Sequence, residues 1–465
     1  MANSRPKKAA RTKATPARVA AFDVLFEVET TGCYLEDALK HHPELDRLPK
    51  SEKAFARLLA SEVVARKSAL ALILSVLIKE DDLELETNVE LALTMALCEL
   101  CYLDKPDHVV VDQGVELVRR VQPKATKLAN YLLREACRRF DASGLDGFGF
   151  TEEMVGLDQG FPAWLADYLI ATFGYDAAET FMSRSNKPAP VYFAFNEAKV
   201  KGAQLLEKLV RAGIKIAHVP PLVTTQPSFP CFVFAQRSSL GNPLVQQALR
   251  NNEIIISDQA AQTVAALAVR DADDTPRRML EIGAGRGVKT MLIQNVALSR
   301  FGHQITLETL DNDERRTKER ARRLKDAAIL EQASYLMDAQ DLSRFEDKSF
   351  DSVFIDAPCT GLGTLRRHLE IRNRVTHGEI IKAAEVGLSL LKEAARLVEV
   401  GGRLTYATCT ITPEENDGVI EAFLLTDIGQ HFKPRTTLLP NAVFAPLDEK
   451  LVPDGHFACL MMRVS

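Results

Sequence analysis

From Asp258 onward the chain alternates short apolar runs with helix-length polar stretches, and each run stops at an acid, a glycine turn or a cysteine. Met279-Leu-Glu-Ile282 enters a glycine turn and then a helix from Val288. Ile305–Leu310 ends in Asp311, Glu314–Ala328 is a highly basic helix, and Ser334–Met337 ends in Asp338. Phe350–Ile355 leads into Asp356-Ala-Pro-Cys359, and Gly402–Thr408 leads into Cys409, with the helix-length stretch Glu379–Val400 between them. A last apolar run spans Phe457–Val464. Parallel strands need such crossovers, so the pattern predicts an α/β, Rossmann-like, doubly wound sheet over residues 258–465. In such sheets the C-terminal strand ends line one crevice, where ligands bind. Two thiols brought to that edge point to nucleophilic chemistry.

A chain of 465 residues is too long for one core. We expect a multidomain protein. Residues 1–15 read as a basic disordered tail. Residues 16–140 read as an all-α helical bundle, because apolar positions recur three and four apart, as in Val19, Phe22, Leu25 and Phe26. Residues 141–160, rich in Gly and Asp, read as a linker. Residues 161–257 read as a small α+β module, with strands at Val191–Phe195 and Cys231–Ala235 and a helix at Gln204–Ala212.

The net charge of −5 gives no global basic field, so any nucleic-acid contact must be local. Arg5, Lys7, Lys8, Arg11, Lys13 and Arg18 precede the first acid and would touch phosphates or simply solubilise the tail. The helix around Arg315–Lys325 is a second candidate, against a solvated face. Arg366, Arg367, Arg372 and Arg374 follow the Asp-Ala-Pro-Cys turn and are the favoured RNA-backbone contacts. Ala69–Ile78 is too short to span a bilayer, and no apolar segment follows the charged start. Eight scattered cysteines fit a reducing cytosol. Cys98 and Cys101 fall in a helical pattern with no second Cys/His pair, so they read as core packing and no metal site is expected.

Glu281-Ile-Gly283-Ala284-Gly285-Arg286-Gly287-Val288-Lys289 joins the first strand to its helix. Glycines there let backbone turn tightly and a ligand approach closely. The dinucleotide fingerprint needs a third glycine at position 288, which is Val288, and the phosphate-loop spacing is also missed. An acid at the strand end suits a ligand with a cationic amino group. Asp311 is placed for ribose hydroxyls and Asp338 for an adenine amine. This set resembles the S-adenosylmethionine site of Rossmann-like methyltransferases. The cofactor candidates are therefore Glu281, Gly283, Ala284, Gly285, Arg286, Gly287, Val288, Lys289, Asp311, Asp338 and Asp356.

A methyl donor beside two thiols suits cytosine C5, a poor nucleophile until a thiolate adds to C6. Asp356-Ala-Pro-Cys-Thr-Gly-Leu-Gly-Thr-Leu-Arg-Arg367 and Tyr406-Ala-Thr-Cys-Thr-Ile-Thr-Pro-Glu-Glu-Asn416 resemble the signatures of RNA cytosine-C5 methyltransferases of the Sun (Fmu, RsmB) type. The resemblance implies that Cys409 attacks, Cys359 assists elimination, Asp356 contacts the cytosine and Lys289 lines the site. Asp454-Gly-His-Phe-Ala458 and Ser257-Asp-Gln-Ala-Ala-Gln262 are also similar to family segments. Val110–Val118 and Lys127–Arg134 resemble the RNA-binding fold of NusB. The function so implied is methylation of cytosine in small-subunit ribosomal RNA by a cytoplasmic monomer. The alternatives are transfer RNA or another RNA as substrate, or a non-catalytic RNA-binding assembly factor. The cofactor turn departs from the family's Cys-Ala-Ala-Pro-Gly-Gly-Lys-Thr, which puts the geometry near Arg286 in question. Ala194-Phe195-Asn196 lacks a usual arginine, and His368-Leu-Glu-Ile371 replaces a usual Pro-Asp-Ile.

Overall fold

The computed structural model describes residues 13–78, 84–219, 222–223, 230–269, 277–445 and 447–465. Arg5, Lys7, Lys8 and Arg11 of the basic tail lie outside them. The chain forms two compact units, one of residues 1–187 with 368–374, the other of residues 188–367 with 375–465.

The first unit is helical. Pro16, with its fixed φ, starts the helix Pro16–Thr31, and Gly32 ends it at φ +71°. Helices Lys50–Ala65, Lys67–Ile78, Thr87–Cys101, Asp107–Val121 and Thr126–Ser143 follow. They bury Phe22, Leu25, Leu59, Ile73, Leu97 and Leu133 in one core. Cys98 lies in that core and Cys101 packs against it, as their helical spacing predicts. Arg18 departs from the cationic-tail reading. It is buried in the first helix and ion-paired with Glu99, because its position faces the core rather than water. No helix among the described residues is long and apolar enough to cross a membrane.

Two boundaries differ from the sequence reading. The stretch around Gly144–Phe148 is a 3-10 turn, and Phe148 and Phe150 enter the helical core. Two aromatic anchors thus convert an apparent linker into packed structure. Helices Ala163–Phe173 and Tyr175–Ser185 also belong to the helical unit, so the α+β module begins near Pro188 rather than at residue 161.

The second unit opens with that module. Strands β1 (Val191–Phe195), β2 (Ile216–Val219), β3 (Cys231–Phe234) and β4 (Ile254–Ile256) form an antiparallel sheet in the order β2-β3-β1-β4. With helices Gly202–Arg211 and Pro243–Arg250 this is a split βαββαβ arrangement. Side chains alternate across a strand. Phe193, Phe195, Phe232 and Phe234 therefore share one face and pack on Leu205, Leu209 and Val245 of the two helices. On the other face Ala194 and Ile255 join the core of the helix Gln259–Ala268 and its neighbours. Base-binding modules of this strand number stack bases on aromatics of an open face. Here that face is closed.

The larger sheet holds β5 (Met279–Ile282), β6 (Leu307–Asp311), β7 (Ala333–Leu336), β8 (Phe350–Asp356), β9 (Val398–Thr408), β10 (Phe432–Leu438) and β11 (Phe457–Arg463). Its order is β10-β11-β9-β8-β5-β6-β7. The five strands from β5 to β9 run parallel. The last run, β11, enters antiparallel between β9 and β10. The sheet is thus mostly parallel, as expected, with an antiparallel edge of the kind common in α/β folds. The central β8 is buried along nearly its whole length, with Val353, Phe354 and Ile355 as its apolar stretch. The strand order reverses at β5 and β8, and in open α/β sheets ligands bind outside the C-terminal ends of strands at such a point.

Candidate active site

The order β6, β5, β8, β9 sets four strand ends side by side. They carry Asp311, the glycine turn, Asp356 with Cys359, and Cys409. The register confirms their level: Ile282 lies opposite Ile355, and Asp356 opposite Ala407.

The glycine turn is fixed by its backbone. Gly283 sits at φ +78°, and a Cβ there would stand 2.4 Å from the Asp356 carbonyl oxygen. Gly287 also sits at φ +78°, and a Cβ would meet Arg320 at 2.7 Å. Arg320 is fully buried on the basic helix Glu314–Asp326 and donates to the Gly285 carbonyl at 3.0 Å and to Glu331. One cation of the supposed phosphate face thus belongs to the turn. Arg315, Arg316, Lys318 and Arg322 on the same helix are exposed. Asp311 accepts from the Gly285 N–H at 2.7 Å and from the Asp313 N–H at 2.9 Å. Asp338 is exposed and accepts from the Gln340 N–H. Arg286 pairs with Glu319 at 3.2 Å, so its side chain is held on the basic helix.

Glu281 is the unusual member. It is fully buried, and neither carboxylate oxygen has a well-formed hydrogen bond among the described residues. Burial pushes its carboxyl up to about 8, and the nearby Thr290 hydroxyl opposes this only in part. A buried carboxylate without donors is costly, so the site is suited to a ligand that brings them. A cationic amino group at Glu281 and a glycine-lined approach fit S-adenosylmethionine.

Lys289, in the first turn of the helix Val288–Phe301, donates to Asp356 at 2.7 Å. Burial pulls Lys289 down, yet the Asp356 carboxylate outweighs it and holds the ammonium charged. Beside this pair the Cys359 and Cys409 sulfurs stand 3.4 Å apart. Cys359 Sγ also accepts from the Cys409 backbone N–H at 3.3 Å. The two thiols are not equivalent. The bond from Cys359 lowers Cys409, burial opposes, and the Lys289 ammonium lowers it further. Cys359 is pushed up by the same bond, by burial and by the charges of Cys409 and Glu415. Of the two, Cys409 is the one shifted toward losing its proton and Cys359 the one shifted toward keeping it. Asymmetry of this kind separates a nucleophile from its helper.

A second charged group borders the thiols. Arg367 bonds Asp454 at 2.6 Å and Asp258 at 3.0 Å. Burial, with the Asp454 charge, pushes Asp258 up to about 7 against the pull of Arg367. Burial pulls His456 down to about 3, and its Nδ1 has no partner among the described residues. The signal was present in the segments Ser257–Gln262 and Asp454–Ala458, but spacing alone does not bring residues 258 and 454 together.

The four arginines after the cysteine turn part company. Arg372 is fully buried and corrects the expectation of an RNA contact. It donates to the carbonyls of Ala65, Gln159 and Ser185 and to Asn186, all in the helical unit, and burial pulls it down to about 9. Arg366 donates to the carbonyls of Val452 and Pro188, and Arg367 is held by its two aspartates, so both brace the protein itself. Arg374 is exposed, bonded to the Cys33 carbonyl and set over the Tyr34 ring.

Residues 264–442 match the family model of the 16S rRNA methyltransferases RsmB/F, and residues 15–138 match the NusB family. The ribosomal RNA small subunit methyltransferase B of Xanthomonas campestris is 30% identical over 386 residues, covering 80% of this chain and 80% of the relative. The chain belongs to the RsmB/F family. The probable ribosomal RNA small subunit methyltransferase B of Bacillus subtilis is 27% identical over 97% of this chain and 99% of its own length. Among solved structures, that of PH0851 superposes with a TM-score of 0.71 at 19% identity, over 98% of this chain and 100% of that one. A methyltransferase homologue from Pyrococcus horikoshii gives 0.51 at 21% identity, over 68% and 100%. These two share the fold. As an RsmB/F member the chain is an RNA methyltransferase that uses S-adenosylmethionine.

Proposed function

We propose that this enzyme methylates C5 of a cytosine in small-subunit ribosomal RNA through a covalent bond between Cys409 and C6. The observation that carries the reading is the unequal thiol pair, 3.4 Å apart, beside the Lys289–Asp356 pair at 2.7 Å. The base enters the crevice unpaired or flipped, because C5 and C6 are reached from the ring face. Asp356 accepts from the exocyclic amine, the only donor on that edge of cytosine. The Cys409 thiolate forms a bond to C6, and the C5=C6 electron pair becomes available at C5. Negative charge spreads to N3 and O2, where the Lys289 ammonium offsets it. Bound at the glycine turn, S-adenosylmethionine supplies the electrophilic methyl. C5 takes the methyl, the C5 proton leaves to a base, and the returning electron pair expels Cys409. The departing thiolate again receives the Cys359 S–H, so Cys359 eases elimination.

The NusB-like helices supply a surface for guiding RNA, with Arg374 as a backbone contact. We place the enzyme in the cytoplasm as a monomer. The test is transfer of labelled methyl to small-subunit ribosomal RNA by the wild type, followed by digestion to nucleosides. Label in 5-methylcytosine supports the reading. Label in another nucleoside, or in transfer RNA alone, counts against it.

A further inference from the structure

Glu415 lies six residues past Cys409, and its side chain is 1% exposed. Its carboxylate accepts from the Thr360 N–H at 2.7 Å and the Thr360 hydroxyl at 2.7 Å. It also accepts from the hydroxyls of Thr410 at 3.3 Å and Thr412 at 2.5 Å. Thr360 follows Cys359 and Thr410 follows Cys409, and their hydroxyls meet at 2.9 Å. One carboxylate therefore ties together the residues that follow the two cysteines. The backbone around it is braced from both sides. Tyr406 donates to the Glu415 carbonyl at 2.9 Å, while Asn416 accepts from Thr408 and donates to the Thr410 carbonyl.

We propose that Glu415 is a positioning residue, whose buried carboxylate holds the two cysteine loops so that the Cys359 thiol donates to the Cys409 sulfur. The proposal rests on the two-thiol reading above. It accounts for a buried carboxyl group whose hydrogen bonds run to threonines on the two cysteine loops rather than to either sulfur. Burial pushes the Glu415 carboxyl up, and the four donors that converge on it oppose this only in part. Its charge has a second consequence, since it helps push Cys359 up and so keeps the donor protonated. Groups facing the thiols from other elements are Lys289, Asp356, Asp454 and Tyr406.

The test reads each thiol separately in the full-length protein without RNA. Iodoacetamide alkylation of Cys409 and Cys359 is followed against pH by peptide mass spectrometry. In the wild type Cys409 reacts at lower pH than Cys359. Glu415→Gln keeps the shape, and the three hydroxyls can turn to accept from the new amide, so the fold is expected to survive. In that variant the two profiles should approach each other by about one pH unit, with Cys359 moving down and Cys409 moving up. Thr412→Val removes one tether without touching either cysteine loop's first residue, and should shift the profiles the same way by less. It serves as well if Glu415→Gln does not fold. A wild-type gap preserved in a folded Glu415→Gln or Thr412→Val protein overturns the proposal. Because no RNA is involved, a failure of the cytosine reading shows separately, as absent methyl transfer by a wild type whose thiols still differ.

Discussion

At the residue scale, the site turns on charges held away from water. Lys289 and Asp356 face each other at 2.7 Å, with the Cys409 thiol inside the field of the ammonium. Replacing Lys289 with Met removes one of the two influences that lower Cys409. Its alkylation profile should move to higher pH, and methyl transfer should fall about a hundredfold at neutral pH, since both the thiolate and the offset for the ring charge are lost. An unmoved alkylation profile would show that the ammonium does not act on the thiol. Glu281 gives a prediction of opposite sense. Its carboxyl ionises near 4.5 when free and near 8 in the fold. Between those values the folded state holds the extra proton, so the protein without cofactor loses stability as pH rises through the interval. An arriving ammonium group needs the carboxylate, so cofactor affinity should rise with pH up to about 8, with proton release below it. Calorimetric titration in buffers of different ionisation enthalpy measures both, and Glu281→Gln should abolish the pH dependence.

At the scale of elements, the turns that carry the cysteines are packed backbone to backbone. The Gly363 N–H donates to the Cys409 carbonyl at 3.1 Å, and Gly455 N–H to the Gly363 carbonyl at 2.8 Å. A Cβ on Gly363 would lie 1.9 Å from the Gly455 oxygen. Gly363→Ala should therefore cost about 3 kcal/mol or more, read as a fall in denaturation midpoint, and should separate the thiols. Much of this framework was legible in the sequence. The ends of β5, β8 and β9 that lead into the site are buried, with the apolar residues Met279, Leu280, Val353, Phe354, Ile355 and Leu404 among them, and the acids and cysteines sit at or just past those ends. The strand β10 was not legible. It lies at the sheet edge, exposes Lys433, Pro434 and Arg435, and has no apolar alternation to detect. Arg372 was misread for a related reason. A run of arginines ordinarily faces water, and only the fold reveals the carbonyls that converge on this one.

At the scale of the whole molecule, the segment His368–Arg374 belongs to the helical unit although its flanks belong to the catalytic one. Arg372 is bonded there by four groups, and Glu370 accepts from the Leu35 N–H at 2.9 Å. A fragment beginning at Pro188 would keep this segment without those partners, leaving Arg372 and Leu369 uncovered. Such a fragment should melt below the full chain and aggregate on heating. Equal melting of the fragment's catalytic part and the full chain would show that the segment contributes little. The central claim is chemical, and one comparison tests it most directly. Methyl transfer from labelled S-adenosylmethionine to small-subunit ribosomal RNA is measured for the wild type, Cys409→Ala and Cys359→Ala. The account predicts label in 5-methylcytosine for the wild type, none for Cys409→Ala, and a protein–RNA adduct that survives denaturation for Cys359→Ala. Turnover that persists in Cys409→Ala would contradict it.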